Sequence, residues 1–128
     1  MSISWFNKND LKLVTTVNPN HLTLNAPCKP LFEKTDRVRL GYDHKKQIAI
    51  IDLLDRDDVQ SYKYQEDELF GISMQMSYVR INCTAFIDLL QEHITSLEDG
   101  DLPKKFVTKY DEVKQQIIIE LGREGIIE

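Results

Sequence analysis

The sequence predicts an α+β, β-dominated fold in which two pseudo-two-fold-related hairpin–helix–hairpin repeats form one compact barrel-like domain. Three observations carry that expectation. Val17–Asn25 (VNPNHLTLN) returns 57 residues later as Met74–Asn82 (MQMSYVRIN), reading apolar, turn, apolar–x–apolar, Asn at identical spacing. Each copy is followed by a Tyr-Asp hairpin, YDHKKQ-IAIIDL from Tyr42 and YDEVKQQ-IIIEL from Tyr110, matched with one inserted residue in the second turn. Between Asn and Tyr the second half is 11 residues longer, which a longer helix accounts for. Self-similarity of this size marks a repeat architecture.

In chain order, residues 1–10 read as an arm, with Trp5 and Phe6 expected to be tied onto a core or a partner. Leu11–Val17 (LKLVTTV) alternates with period two and is rich in β-branched residues, so it predicts a strand. Asn18-Pro19-Asn20 is turn chemistry, and His21–Leu24 gives the second strand of a hairpin. Asn25 is placed to cap a short helical segment, which Pro30 limits to one or two turns. Arg37–Tyr42 and Gln47–Leu54 flank a polar turn and predict a second hairpin.

Asp55–Glu68 is acid-rich and divides the chain. Repeat one spans about 11–54, the acidic linker about 55–68 and repeat two about 69–121, all within a single domain, 1–128. In the second half, Leu69–Met74 and Tyr78–Ile81 predict a hairpin. Asn82 is placed to start a helix over 83–98, on which Phe86, Leu90 and Leu97 form an apolar stripe that Gly100 would end. Phe106–Tyr110 and Gln116–Leu121 predict the last hairpin. A single 40-residue unit buries little and leaves strand edges open; pairing two units closes them.

With 128 residues, 41% hydrophobic, one core can form without staples. No apolar run approaches the roughly 20 residues that span a bilayer. The opening MSISWFNKND has neither a basic leader nor a long apolar core, so a cytoplasmic, membrane-free protein is expected. Cys28 and Cys83 form no metal pattern and read as free thiols. His21, His44 and His93 lack metal-spaced partners, and no phosphate-cradling Gly loop or Gly-x-Ser-x-Gly occurs. These features point away from an enzyme and from a cofactor.

The formal net charge is −5, which argues against a generic nucleic-acid coat, but its distribution is uneven. Residues 1–50 carry eight Lys/Arg against four Asp/Glu, residues 51–103 three against twelve, and residues 104–128 five against five. Basic candidates for a nucleic-acid-binding face are Lys29, Arg37, Arg39, Lys45, Lys46 and Arg80. Arg37 and Arg39 alternate with Val38 and Leu40 and would project from one side of a strand, as phosphate contacts do. Where the second repeat should carry the same ladder it has Thr108 and Lys109.

The order hairpin–Asn–helix–hairpin resembles the swapped-hairpin DNA-binding domains of the AbrB and SpoVT kind, and two units in one chain resemble the MraZ arrangement. The resemblance implies an intertwined β-rich unit and a transcription regulator acting on double-stranded DNA. The Gly-Arg pair and Pro typical of those families are absent from His21–Asn25 and Tyr78–Asn82, so no family residue is carried over. The competing expectation is a protein-interaction module, antitoxin-like or a phage-type accessory protein, with a protein partner or a second copy as its target. The acidic Asp55–Glu68, the helix 83–98 and Trp5-Phe6 motivate it.

Overall fold

The computed structural model describes residues 2–5, 12–61 and 63–127. Its strands are β1 (Leu13–Val17), β2 (His21–Asn25), β3 (Arg37–Asp43), β4 (Ile48–Leu54), β5 (Ser73–Met74), β6 (Tyr78–Asn82), β7 (Lys104–Asp111), β8 (Gln116–Glu120) and β9 (Ile126–Ile127). Two α-helices, α1 (Arg56–Gln60) and α2 (Thr84–His93), and short 3-10 turns join them. The strands form one antiparallel sheet in the order β3-β4-β8-β7-β1-β2-β6-β5, with β9 on β7, and the sheet curls into a half-barrel. Its two ends meet at a single bridge between Val38 and Phe70.

Period two in the sequence decides which face is inside. Leu22, Leu24, Val79, Ile81, Phe106, Ile117 and Ile119 are fully buried, and the residues between them look outward. Burying an aliphatic side chain of this size contributes roughly 1.5–3 kcal/mol, so these rows set the register. Phe86, Ile87 and Leu90 of α2 cover the open side of the curl, followed by Ile94 and Leu97. A buried polar pair, Thr15 and Thr108, joins β1 to β7 inside the barrel, Oγ1 to Oγ1 at 2.8 Å. No helix among the described residues is long and apolar enough to cross a membrane.

Several local expectations are corrected. Neither Asn caps a helix through its side chain. Asn25 instead accepts from Val14 N and donates to Lys12 O, extending the β1–β2 ladder with an amide that imitates backbone. The residue at the N-cap of α2 is Cys83, while Asn82 accepts from Arg80. The two Tyr-Asp turns need no inserted residue. Gln47 and Gln115 occupy the same left-handed place, φ 54° and 53°. Asp43 and Asp111 accept backbone N–H groups of Lys46 and Lys114 at 3.1 Å in both turns.

α2 stops at His93 rather than near Gly100, because Ile94 turns extended (φ −109°, ψ 118°) and the next 3-10 turn brings Leu97 inward. The Leu69–Met74 strand shrinks to Ser73–Met74 plus the Phe70 bridge. Acidic Asp55–Gln60 is ordered by a reciprocal box: Asp58 N–H donates to the Asp55 carboxylate and Asp55 N–H to that of Asp58. Trp5 is 85% exposed and covers no core; Phe6 lies outside the described residues.

Candidate functional site

The outer face of β7-β1-β2-β6-β5 follows directly from the ladder registers. Thr16 faces Lys105 on one side and Thr23 on the other; Thr23 faces Arg80, and Arg80 faces Ser73. Directly opposed residues share a face, so these five make one row across five strands, spanning roughly 19 Å at about 4.8 Å per step. Neighbouring rows add Val14, Asn25 and Tyr78 on one side and His21 and Asn82 on the other. Lys12 stands just ahead of β1, on the outward side by alternation.

Among the described residues its strands carry one outward carboxylate, Asp111 at the far end of β7, in the row of Gln116, Asp52 and Arg39. β1, β2, β5 and β6, with their hairpin turns, lack Asp and Glu altogether, in a chain that has 21 of them. Lys12, Lys29, Arg80 and Lys105 take part in no ion pair among the described residues. Where they bond, the acceptor is neutral. Arg80 Nε donates to Asn82 Oδ1 at 2.9 Å, and Lys29 Nζ donates to the Met76 carbonyl at 2.9 Å. The first acid at the border is Glu120 of β8, and Lys109 of β7 answers it at 3.2 Å.

His21 sits in the same patch. Burial, and secondarily the Arg80 guanidinium, hold its imidazole below its ordinary pKa. Its Nδ1 is buried without a hydrogen-bond partner among the described residues. Thr, Asn and Tyr hydroxyls and amides around Arg80 and Lys105 supply both donors and acceptors.

The six sequence-predicted residues do not gather in one place. Arg80 lies in the row itself, and Lys29 at its rim, on the 3-10 turn Ala26–Phe32 beside the β5–β6 tip. Arg37 and Arg39 are on the outward side of β3, at the far end of the sheet, and both are matched by acids. Arg37 meets Glu66 at 3.1 Å, and Arg39 meets Asp52 at 3.0 Å while lying 4.8 Å above the Tyr64 ring. Lys45 and Lys46 stand exposed on the β3–β4 turn, where their backbone N–H groups bond Asp43 and lower its carboxyl pKa, Lys46 foremost.

Neither Lys105 nor Lys12 is among the basic residues singled out from the sequence. A usable signal was present: residues 11–32 and 69–87 are both free of Asp and Glu. Summing charge over long blocks hid that gap, because the second stretch fell inside the most acidic block.

Neither thiol is activated. Burial pushes both Cys28 and Cys83 up to about 11, outweighing the backbone N–H groups that face them, so the position of Cys83 ahead of α2 confers no thiolate. Among the described residues no group of three or more His, Cys, Asp or Glu could hold a metal ion. No protein-family model matches the chain, and no curated protein or solved structure matches it either.

Proposed function

We propose that this chain is a non-catalytic, cytoplasmic DNA-binding regulator that holds double-stranded DNA against the outer face of β7-β1-β2-β6-β5. The observation that carries the reading is the absence of acids from β1, β2, β5 and β6, with Arg80 and Lys105 on one row and Lys12 and Lys29 beside it, on a protein of net charge −5. Segregating cations from acids in this way creates a local phosphate-attracting field that the total charge conceals. The Thr, Asn and Tyr groups on the same face would fix register on the phosphate backbone.

The swapped-hairpin reading, with duplication as in the MraZ arrangement, belongs to the same proposal, and the registers support it. Residues matched in sequence face each other at the middle of two ladders: Thr23 opposite Arg80, and Ile50 opposite Ile118. Reciprocal bonds flank the second of these, Leu53 N to Gln115 O at 3.0 Å and Leu121 N to Gln47 O at 2.9 Å. The hairpin tips match as well, through Asn18 N to His21 O and Gln75 N to Tyr78 O. Duplication would thus supply in one chain the two halves of a symmetric unit.

Retention on heparin and binding of a mixed-sequence 30-base-pair duplex at about 50 mM salt test the reading. Arg80→Glu and Lys105→Glu should each weaken binding, while Arg37→Glu and Arg39→Glu, already matched by acids, should change it far less. Absence of binding at that salt, or equal effects of all four, sinks it.

One observation favours the second reading, an interaction module of the antitoxin-like or accessory kind. The β3 arginines are neutralised in place, and the start of the acidic segment, Asp55–Gln60, is ordered by the Asp55–Asp58 box. That reading predicts a stable co-purifying protein or a homo-oligomer and no duplex binding.

A further inference from the structure

Away from the cationic face, the other end of the sheet presents an open strand edge with a cavity against it. β3 is paired by β4 on one side; on the other it has, among the described residues, one partner residue, Phe70. Val38 N donates to Phe70 O at 3.0 Å, and Phe70 N donates to Val38 O at 2.8 Å. Val38 therefore turns both backbone groups away from β4. Antiparallel alternation aims the N–H and C=O of Leu40 and Tyr42 the same way. Outside the β3–β4 ladder, no described residue bonds to them.

β7 gives the internal comparison. Its corresponding side is filled by five residues of β1, from Leu13 opposite Thr108 to Val17 opposite Lys104. On β3 no strand pairs beyond Phe70 among the described residues, and the His93 ring of α2 stacks on Tyr42 at 5.4 Å.

A cavity of about 590 Å³ lies there, between β3 and α2, within the size range that ligands use. Leu40, Phe70, Phe86 and Leu89 give it apolar walls, and Asp67 and Glu68 stand exposed at its rim. The one cation at the cavity, Arg39, is matched by Asp52, so the acids at the rim stay uncompensated.

We propose that this slot binds an extended peptide of a partner protein by strand addition to β3. Apolar side chains of the peptide lie against Leu40, Phe70 and Leu89, and a Lys or Arg reaches Asp67 and Glu68. Three features select that occupant. Backbone donors and acceptors repeating every second residue match an extended chain. The apolar walls match alternate side chains of such a chain. The acidic rim rejects acidic peptides and nucleic acid and favours a basic residue. Edge strands left open are a hazard that proteins otherwise cover, so an occupant also resolves the exposed edge.

The probe is the peptide acetyl-Lys-Val-Lys-Val-Lys-Val-amide, titrated into the full chain by fluorescence polarisation and amide NMR. The expected result is saturable binding, with the Leu40 and Tyr42 amides protected from hydrogen exchange. N-methylating alternate peptide nitrogens should weaken binding about tenfold or more, as loss of backbone hydrogen bonds would. A Glu-Val peptide of the same length should bind at least about tenfold more weakly, and Asp67→Lys with Glu68→Lys should remove the preference. Both substituted positions are exposed; Glu68 also accepts the Gln65 N–H at 3.2 Å, so unchanged amide shifts in the β3–β4 hairpin must accompany the variant. Four results overturn the proposal: no binding at millimolar peptide, indifference to N-methylation, shifts mapping away from β3, or concentration-dependent protection of Leu40 and Tyr42 without peptide, which would give the edge to a second copy.

Discussion

Thr108→Val tests the seam between β1 and β7, under the cationic row. Thr15 and Thr108 are 0% and 6% exposed, and their hydroxyls are 2.8 Å apart. Thr108 Oγ1 donates to Phe106 O at 3.1 Å, so the Thr15 hydroxyl must donate to Thr108. The two deletions are therefore unequal. Thr108→Val leaves the Thr15 proton without an acceptor in a dry site, at about 1–3 kcal/mol. Thr15→Val leaves the Thr108 proton on Phe106 O and costs about 0.5–1.5 kcal/mol. Removing both hydroxyls replaces a polar pair with two methyls of similar shape, and the double variant should return to within about 1 kcal/mol of the parent. For a chain of 128 residues, an unfolding entropy of about 2.1 cal/mol/K per residue turns 2 kcal/mol into roughly 7 °C of Tm. Urea unfolding of the four proteins closes the cycle. A harmless Thr108→Val, or a double variant as unstable as the sum of the singles, would refute the assigned proton direction.

Three further outcomes follow from the geometry. Both thiols, pushed up to about 11, should react with a disulfide reagent at pH 8 only slowly in the folded protein and at once in urea; prompt native reaction would contradict their burial. Asp99 has its carboxyl held below the usual value, chiefly by Lys104, whose ammonium meets both oxygens at 2.8 and 2.9 Å. A depressed folded pKa stabilises above the unfolded value and is lost as pH falls through the folded one. Lys104→Met should therefore raise the Asp99 midpoint in a carboxyl NMR titration and flatten the acid limb of stability, and an unchanged midpoint would assign the shift elsewhere. At Gly125 an added Cβ would collide with the Glu120 carbonyl, so Gly125→Ala should push the Arg123–Gly125 turn off β8 and free β9, at about 1–3 kcal/mol. Faster exchange of the Ile126 and Ile127 amides would report it, and native exchange rates would rule it out.

The hairpins were legible because their signals are local. Alternation in Leu22–Leu24 and Val79–Ile81, and turn chemistry at Asn18–Asn20, do not depend on distant residues. Helix ends were harder to read. Asn25 and Asn82 looked like caps because the residue type favours that role, but other partners took both side chains: the β1 backbone in one case and Arg80, two residues back in the same strand, in the other. The inserted turn residue was a misalignment, and the matching left-handed Gln47 and Gln115 remove it.

For the candidate site, residue type was legible and partnership was not. Arg37 and Arg39 carry the same charge as Arg80. Only the fold reveals that Glu66 and Asp52 reach the first two and that an amide reaches the third. Lys105 could not be joined to Arg80 from sequence, since the row connecting them crosses β1 and β2 and depends on a β1–β7 pairing between residues about 90 apart.

The central claim rests on phosphate contact by the face that carries Arg80 and Lys105, and the salt dependence of duplex binding reads that contact directly. The slope of log K against log salt should be shallower by about 0.9 for each lost phosphate contact, so Arg80→Ala with Lys105→Ala should reduce it by about 1.8. The Arg37→Ala, Arg39→Ala variant should keep the parent slope. An unchanged slope in the first variant, or a loss in the second as large as in the first, would contradict the account.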